Sequence, residues 1–121
     1  MYMKNIFLLL SWLILLPSGI LANPIKGMLE RIDKGASNKF VVELHKSPND
    51  FFELDRKGDK VVIRGNTYIN IATGINWYLK YHAGIHLSWN GMYASLPDVL
   101  PPVLRKERHE TNLALRYDFN Y

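Results

Sequence analysis

The 121-residue sequence predicts an α+β fold, a small mostly antiparallel sheet backed by two helices. Three observations carry this reading. Tyr68, Ile71, Ala72, Ile75, Tyr78, Leu79 and His82 recur at three- and four-residue steps, which places them on one face of a 3.6-residue helix. Residues 40–44 (FVVEL), 51–56 (FFELDR) and 61–64 (VVIR) are short β-branched or aromatic runs separated by turn residues, as strands are. Ile25, Met28, Leu29 and Ile32 form a second, shorter helical stripe ahead of them. The order helix–strand–strand–strand–helix–strand suits a sheet with helices on one face.

Taken in order, the chain opens on a leader. Lys4 precedes an almost unbroken apolar run at residues 6–16, then Pro17, Ser18 and Gly19 break it and Ala22 offers a small residue for cleavage. These are the three parts of a secretory signal peptide, and the run is shorter than the ~20 residues a spanning helix needs. The expectation is export, periplasmic or secreted, with a signal peptide at 1–22 and no membrane association after cleavage. Ile20 is larger than the usual residue three positions before a cut, and the absence of cysteine rules out a lipoprotein signal.

Residues 24–34 read as an amphipathic helix stopped by Gly35, with Glu30 four residues before Lys34. Ser47, Pro48, Asn49 and Asp50 make a turn. Residues 57–60 (KGDK) reverse the chain, so 51–64 is a hairpin candidate. Asn66 or Thr67 caps the long helix and Gly84 ends it. Ile85, Leu87 and Trp89 alternate with His86, Ser88 and Asn90, which predicts a fourth strand. Pro97, Pro101 and Pro102 fix an extended, irregular course beyond residue 95, and the charged stretch 106–112 reads as a loop tip. Residues 113–121 (LALRYDFNY) alternate as a strand, and the chain stops inside that pattern. An unterminated aromatic strand invites pairing with another chain, so the expectation is a fragment that aggregates or is poorly stable alone. The resulting partition is a signal peptide at 1–22, an α+β domain at 23–95, a proline-rich linker at 96–112 and the start of a further domain at 113–121.

Composition bounds the function. Removing Lys4 with the leader leaves 14 basic against 11 acidic residues, a mild excess. The one basic cluster, Arg105, Lys106 and Arg108, is interrupted by Glu107, which argues against nucleic acid as a partner. Without cysteine an exported core has no disulfides to hold it, and about 100 residues make one small domain of marginal stability.

The run 62–89, followed by Leu96-Pro97 and by Arg116-Tyr117-Asp118-Phe119-Asn120, resembles the N-terminal region of the α-N-acetylglucosaminidases of glycoside hydrolase family 89. The resemblance lies in a strand ending in Arg64-Gly65, a helix holding Ala72, Gly74, Tyr78 and Leu79, a strand ending in Trp89, a proline-rich linker and the Arg-Tyr-x-x-Asn run. It implies a small domain similar to domain 2 of β-hexosaminidases, followed by a (β/α)8 barrel whose first strand begins at 113–121. It also implies an exported enzyme that removes terminal α-linked N-acetylglucosamine with retention. Asn120 matches an asparagine that lines the sugar pocket and is the one position carried over as substrate-binding. Neither catalytic glutamate has a counterpart here. Retaining hydrolysis needs two carboxyl groups about 5 Å apart, so the chain alone is expected to be inactive, a non-catalytic accessory domain whose partner is the catalytic barrel, with no cofactor.

Other residues admit a sharper or a plainer role. His82 and His86 have the four-residue spacing of a helical metal pair, but Gly84 lies between them and no third ligand is evident, so no metal is expected. Trp77, Tyr78, Tyr81, Trp89 and Tyr93 suggest either a sugar-stacking platform or packing, and packing is favoured. Asp118 is taken as a plain strand position, and Arg64-Gly65-Asn66 as a strand-to-helix turn in preference to a phosphate cradle. The alternative function, an independent exported carbohydrate-binding or protein-interaction module, rests on that aromatic set.

Overall fold

The computed structural model describes residues 23–88, 91–92 and 95–112. The expected signal peptide, the strand expected at 113–121, and Trp89, Asn90, Tyr93, Asp118 and Asn120 lie outside the described residues.

Helix α1 (Pro24–Ile32) starts at Asn23, whose side chain accepts from the backbone N–H groups of Ile25 and Lys26, with Pro24 in the first turn where a missing N–H costs nothing. It buries Ile25 and Leu29. A 3-10 turn (Ala36–Lys39), not expected from the sequence, follows Gly35, whose φ of 83° favours glycine. It is held by the Glu30 carboxylate, which accepts from the N–H of Gly35 and from both the N–H and hydroxyl of Ser37.

Strands β1 (Phe40–Leu44), β2 (Asp50–Lys57) and β3 (Lys60–Gly65) follow, then helix α2 (Tyr68–Tyr81), a two-stranded ribbon of β4 (Leu87–Ser88) and β5 (Gly91–Met92), and β6 (Glu107–Thr111). The sheet order is β1-β3-β2-β6. β2 runs antiparallel to both β3 and β6, while β1 runs parallel to β3. The sheet is therefore mixed, with two of its three pairings antiparallel, and the α+β class stands.

Alternation along the strands divides the sheet faces. Phe40, Phe52, Leu54, Val61 and Ile63 point to the helices and join Ile71, Ile75, Tyr78 and Leu79 in one core. Two glycines set how closely α2 can approach. A Cβ on Gly74 would come within 3.0 Å of Ile63 Cγ2 and 3.2 Å of Phe52, and one on Gly65 within 2.9 Å of Ile71 Cγ1. The same spacing that marked the helix face therefore runs Asn70, Ile71, Gly74, Ile75, Tyr78 and Leu79 in the structure, all buried. Tyr68, expected on that face, is exposed at the first turn.

Two strand assignments are corrected. Of the strand expected at 85–89, the described residues place Leu87–Ser88 in a strand, β4, which among them pairs with β5 in a separate ribbon. Ile85 is buried, but Leu87 is largely exposed, so the alternation does not mark a sheet face. The fourth strand of the sheet is instead β6, from the stretch read as a charged loop tip. The proline-rich stretch before it is extended, as expected, yet it packs on the domain: Leu96, Leu100 and Val103 are buried in the core.

Candidate functional site

The chemistry-bearing side chains gather on either side of β6. On the helix side, the α2 sequence brings Asn70, Thr73 and Trp77 over Phe52 of β2, and β6 adds His109, leaving a groove of about 300 Å³. One end of it is an amide network. Asn66, turned back from the helix start, accepts from the N–H of Phe51, and Asn70 donates through Nδ2 to Asn66 and to Asp50. Thr67, and not Asn66, is the helix cap: its hydroxyl accepts from the N–H of Asn70 at 3.1 Å. Arg64-Gly65-Asn66 is thus a strand-to-helix turn.

The other end is aromatic. Trp77 lies 4.3 Å from the His109 ring, 4.4 Å from Tyr81 and 5.7 Å from Phe52, centroid to centroid. An indole with rings packed this closely around it does not offer a free stacking face. Tyr78 is fully buried, in an edge contact with Phe40, and donates its hydroxyl to the Pro101 carbonyl at 2.5 Å. Burial pushes its phenol up to about 12. Two of the three platform residues that the structure describes, Trp77 and Tyr78, are therefore packing groups. Tyr81 alone remains well exposed.

Glu107 ties β6 to the end of α2. One carboxylate oxygen accepts from Trp77 Nε1 at 2.9 Å and bonds His109 Nε2 at 2.6 Å; the other bonds His82 Nε2 at 2.9 Å. Partial burial works to raise its pKa, but the bonds from His109, His82 and Trp77 together hold it below the ordinary value. His82 is thus a carboxylate partner at the helix C-cap, while His86 is exposed beyond Gly84. Among the described residues no cluster of three or more metal-ligating side chains has the arrangement to hold an ion.

On the outer face Arg64 is the hub. Its Nε donates to Glu43 at 2.8 Å, and its Nη1 to Glu53 at 2.9 Å and to Asp55 at 2.8 Å. The guanidinium is held above its ordinary range, chiefly by the bond to Asp55, and Glu43 and Asp55 are held below theirs, each chiefly by the bond to Arg64. Lys106 and Arg108 approach buried Glu53 at 3.5 Å. Glu110, bonded first by Asn49 and then by Arg108, is lowered as well.

A general acid must keep its proton near neutral pH, which requires a raised carboxyl pKa. Glu43, Asp55, Glu107 and Glu110 are all shifted the opposite way, by cations or donors that fix them as anions. Their arrangement ties the strands to one another and to the helix. The sequence pointed to His82 and the aromatics of α2 but missed Glu107 and His109, whose only signal was polar alternation in a stretch taken for a loop. Asn120, the expected substrate-binding residue, lies outside the described residues.

Fold and side-chain chemistry together define a small α+β domain whose described polar groups tie strands and helix together. Residues 23–102 match the model of the alpha-N-acetylglucosaminidase (NAGLU) N-terminal domain. The chain belongs to this family. Among solved structures it is similar to a family 89 glycoside hydrolase from Clostridium perfringens in complex with 2-acetamido-1,2-dideoxynojirmycin, at 31% identity and a TM-score of 0.72, covering 78% of this chain and 11% of that one. A structure in complex with PUGNAc, likewise a family 89 glycoside hydrolase from C. perfringens, gives 31% identity and a TM-score of 0.73 over 79% of this chain and 12% of that one. A third, also from C. perfringens and in complex with its substrate GlcNAc-alpha-1,4-galactose, gives 31% identity and 0.72. The chain thus spans about a tenth of the length of the solved enzymes it matches. No curated protein matches it.

Proposed function

We propose that this chain is the accessory N-terminal domain of an exported α-N-acetylglucosaminidase, a scaffold for a catalytic barrel that removes terminal α-linked N-acetylglucosamine from glycans. The observation that carries the reading is the family match over residues 23–102. The bonds that hold Glu43 and Asp55 on Arg64, and Glu107 on Trp77, His82 and His109, support a structural role for these carboxylates. The leader-like segment at 1–22 supports export, and the family resemblance of Asn120 supports a contribution to the sugar pocket of the whole enzyme.

The test is direct. The chain, incubated with an aryl α-N-acetylglucosaminide, should release no aryl alcohol above a buffer blank, and N-terminal sequencing of material from the periplasm or medium should begin at Asn23. Turnover by the purified chain would overturn the non-catalytic assignment, and an intact Met1 in cytoplasmic material would overturn export.

A further inference from the structure

One groove is not used by the packing described above. It lies where the end of α2 meets residues 102–107, has a volume of about 520 Å³, and is walled by Tyr81, His82, Pro102, Leu104, Lys106 and Glu107. Leu104 is 86% exposed and Tyr81 58%. The backbone that presents Leu104 is pinned: its neighbour Val103 is buried, as is Leu100, and the Pro101 carbonyl is held by Tyr78. Leu104 therefore cannot turn inward without pulling Val103 out of the core. Large apolar side chains held together in water mark an interaction surface. Its rim is basic, with Arg105 and Lys106 beside Leu104, and Lys80 Nζ 5.1 Å from the centroid of the Tyr81 ring.

We propose that this groove seats the remainder of a family 89 hydrolase, which inserts an apolar side chain between Tyr81 and Leu104 and sets a carboxylate against Arg105 or Lys106. The inference rests on the accessory-domain reading. Two observations select this occupant. In the solved relatives the matching region is only 11% to 12% of the chain, so the surface this domain meets first belongs to the same polypeptide. The family match stops at residue 102, within the groove wall, so the groove lies on the seam at the C-terminal boundary of the domain. A second copy of the chain fits less well, because a symmetric contact would set one basic rim against another.

Superposition on the solved C. perfringens enzyme gives the first test. Positions equivalent to Tyr81 and Leu104 should touch the rest of that enzyme within about 4.5 Å. If they face solvent while another face of the domain is covered, this surface is refuted and the accessory reading stands; if no face is covered, both fall. Binding gives the second. The full chain is titrated into the C. perfringens enzyme expressed without its matching segment, once circular dichroism and a cooperative thermal melt show the shortened enzyme to be folded. Leu104→Asp should weaken binding at least tenfold, and Ile69→Asp, at a 75% exposed site on the first turn of α2, less than threefold. Equal binding by Leu104→Asp and the parent chain overturns the surface alone, and absence of binding by every version overturns both. A homodimer that Leu104→Asp dissolves would give the groove to a second copy and overturn the proposal.

Discussion

Replacing Glu107 by alanine removes one carboxylate and leaves three donors facing the gap. In the native domain that carboxylate bonds Trp77 and His109 through one oxygen and His82 through the other, at 2.6 to 2.9 Å. A hydrogen bond to a charged group contributes about 1.5–3 kcal/mol where solvent is excluded. The Glu107 side chain is 31% exposed, so each bond is screened, and three bonds to one acceptor do not add independently. The expected loss is about 2–3 kcal/mol, which for a domain of about 100 residues corresponds to a fall in melting temperature of roughly 10–20 °C. Glu107→Gln keeps the shape and one acceptor oxygen and should lose about half as much. Thermal melts by circular dichroism, with tryptophan emission as a second probe, measure this. The pH dependence adds a check. The folded pKa of Glu107 lies below its ordinary 4.5, so its contribution is complete above that value and is lost as pH falls through the folded pKa. The gap between parent and Glu107→Ala should therefore be open above pH 4.5 and close as the pH falls below that value. A Glu107→Ala variant melting within about 2 °C of the parent at pH 7 would refute the view that this carboxylate docks β6 on α2.

Three further outcomes rest on the same geometry. Gly74→Ala should cost about 1–3 kcal/mol in chemical denaturation, because the added methyl must displace Ile63 and Phe52 from contacts of 3.0 and 3.2 Å; an unchanged denaturation midpoint would show that α2 has room to lift. Arg64→Met should cost about 2–3 kcal/mol at pH 7 by leaving buried Glu53 and its neighbours Glu43 and Asp55 without their shared cation. Since Glu43 and Asp55 titrate below their ordinary 4.5 and 3.8, the parent should lose stability as pH falls beneath those values, and the variant should lose less over the same range. Tyr78→Phe should cost about 1 kcal/mol, and absorbance titration of the parent should show a tyrosine ionising near 12 that the variant lacks. Its folded pKa is raised above the ordinary 10.0, so that contribution is present below 10 and fades as pH climbs towards 12.

The sequence showed most where side chains report their own environment. The α2 stripe, the 51–64 hairpin and the short first helix are local patterns of apolar residues, and each is present within a residue or two. Features that depend on partners far along the chain were not legible in this way. The parallel pairing of β1 with β3 follows from β2 lying on the far side of β3, a choice made by packing and not by any residue in β1. β4 has the alternation of a sheet strand, yet among the described residues it joins β5 and not the four-stranded sheet. In β6 both faces are polar, because Glu107 and His109 meet Trp77 across the helix side while Arg108 meets Phe51 and Glu53 on the outer side. A hydrophobicity pattern is blind to such a strand, since its long-range contacts are hydrogen bonds and ion pairs to residues 25 to 61 positions away.

That blindness has a physical counterpart in the role of β6 at the edge of the sheet that the described residues form. One side of its backbone is paired with β2, and it is the last strand in the order. An apolar strand there would invite a neighbouring chain, whereas Glu107, Arg108 and Glu110 put charge on both faces and make intermolecular pairing costly. Those charges have partners among the described residues: Arg108 lies 3.8 Å over the Phe51 ring and reaches Glu53, Lys106 reaches Glu53, and Glu107 accepts from α2. One short stretch therefore clamps both faces of the sheet and protects its edge. It lies beyond residue 102, where the family match ends. A truncation drawn at that boundary would strip off the clamp and uncover Phe52 and Trp77 together, so the physical domain extends at least to Thr111.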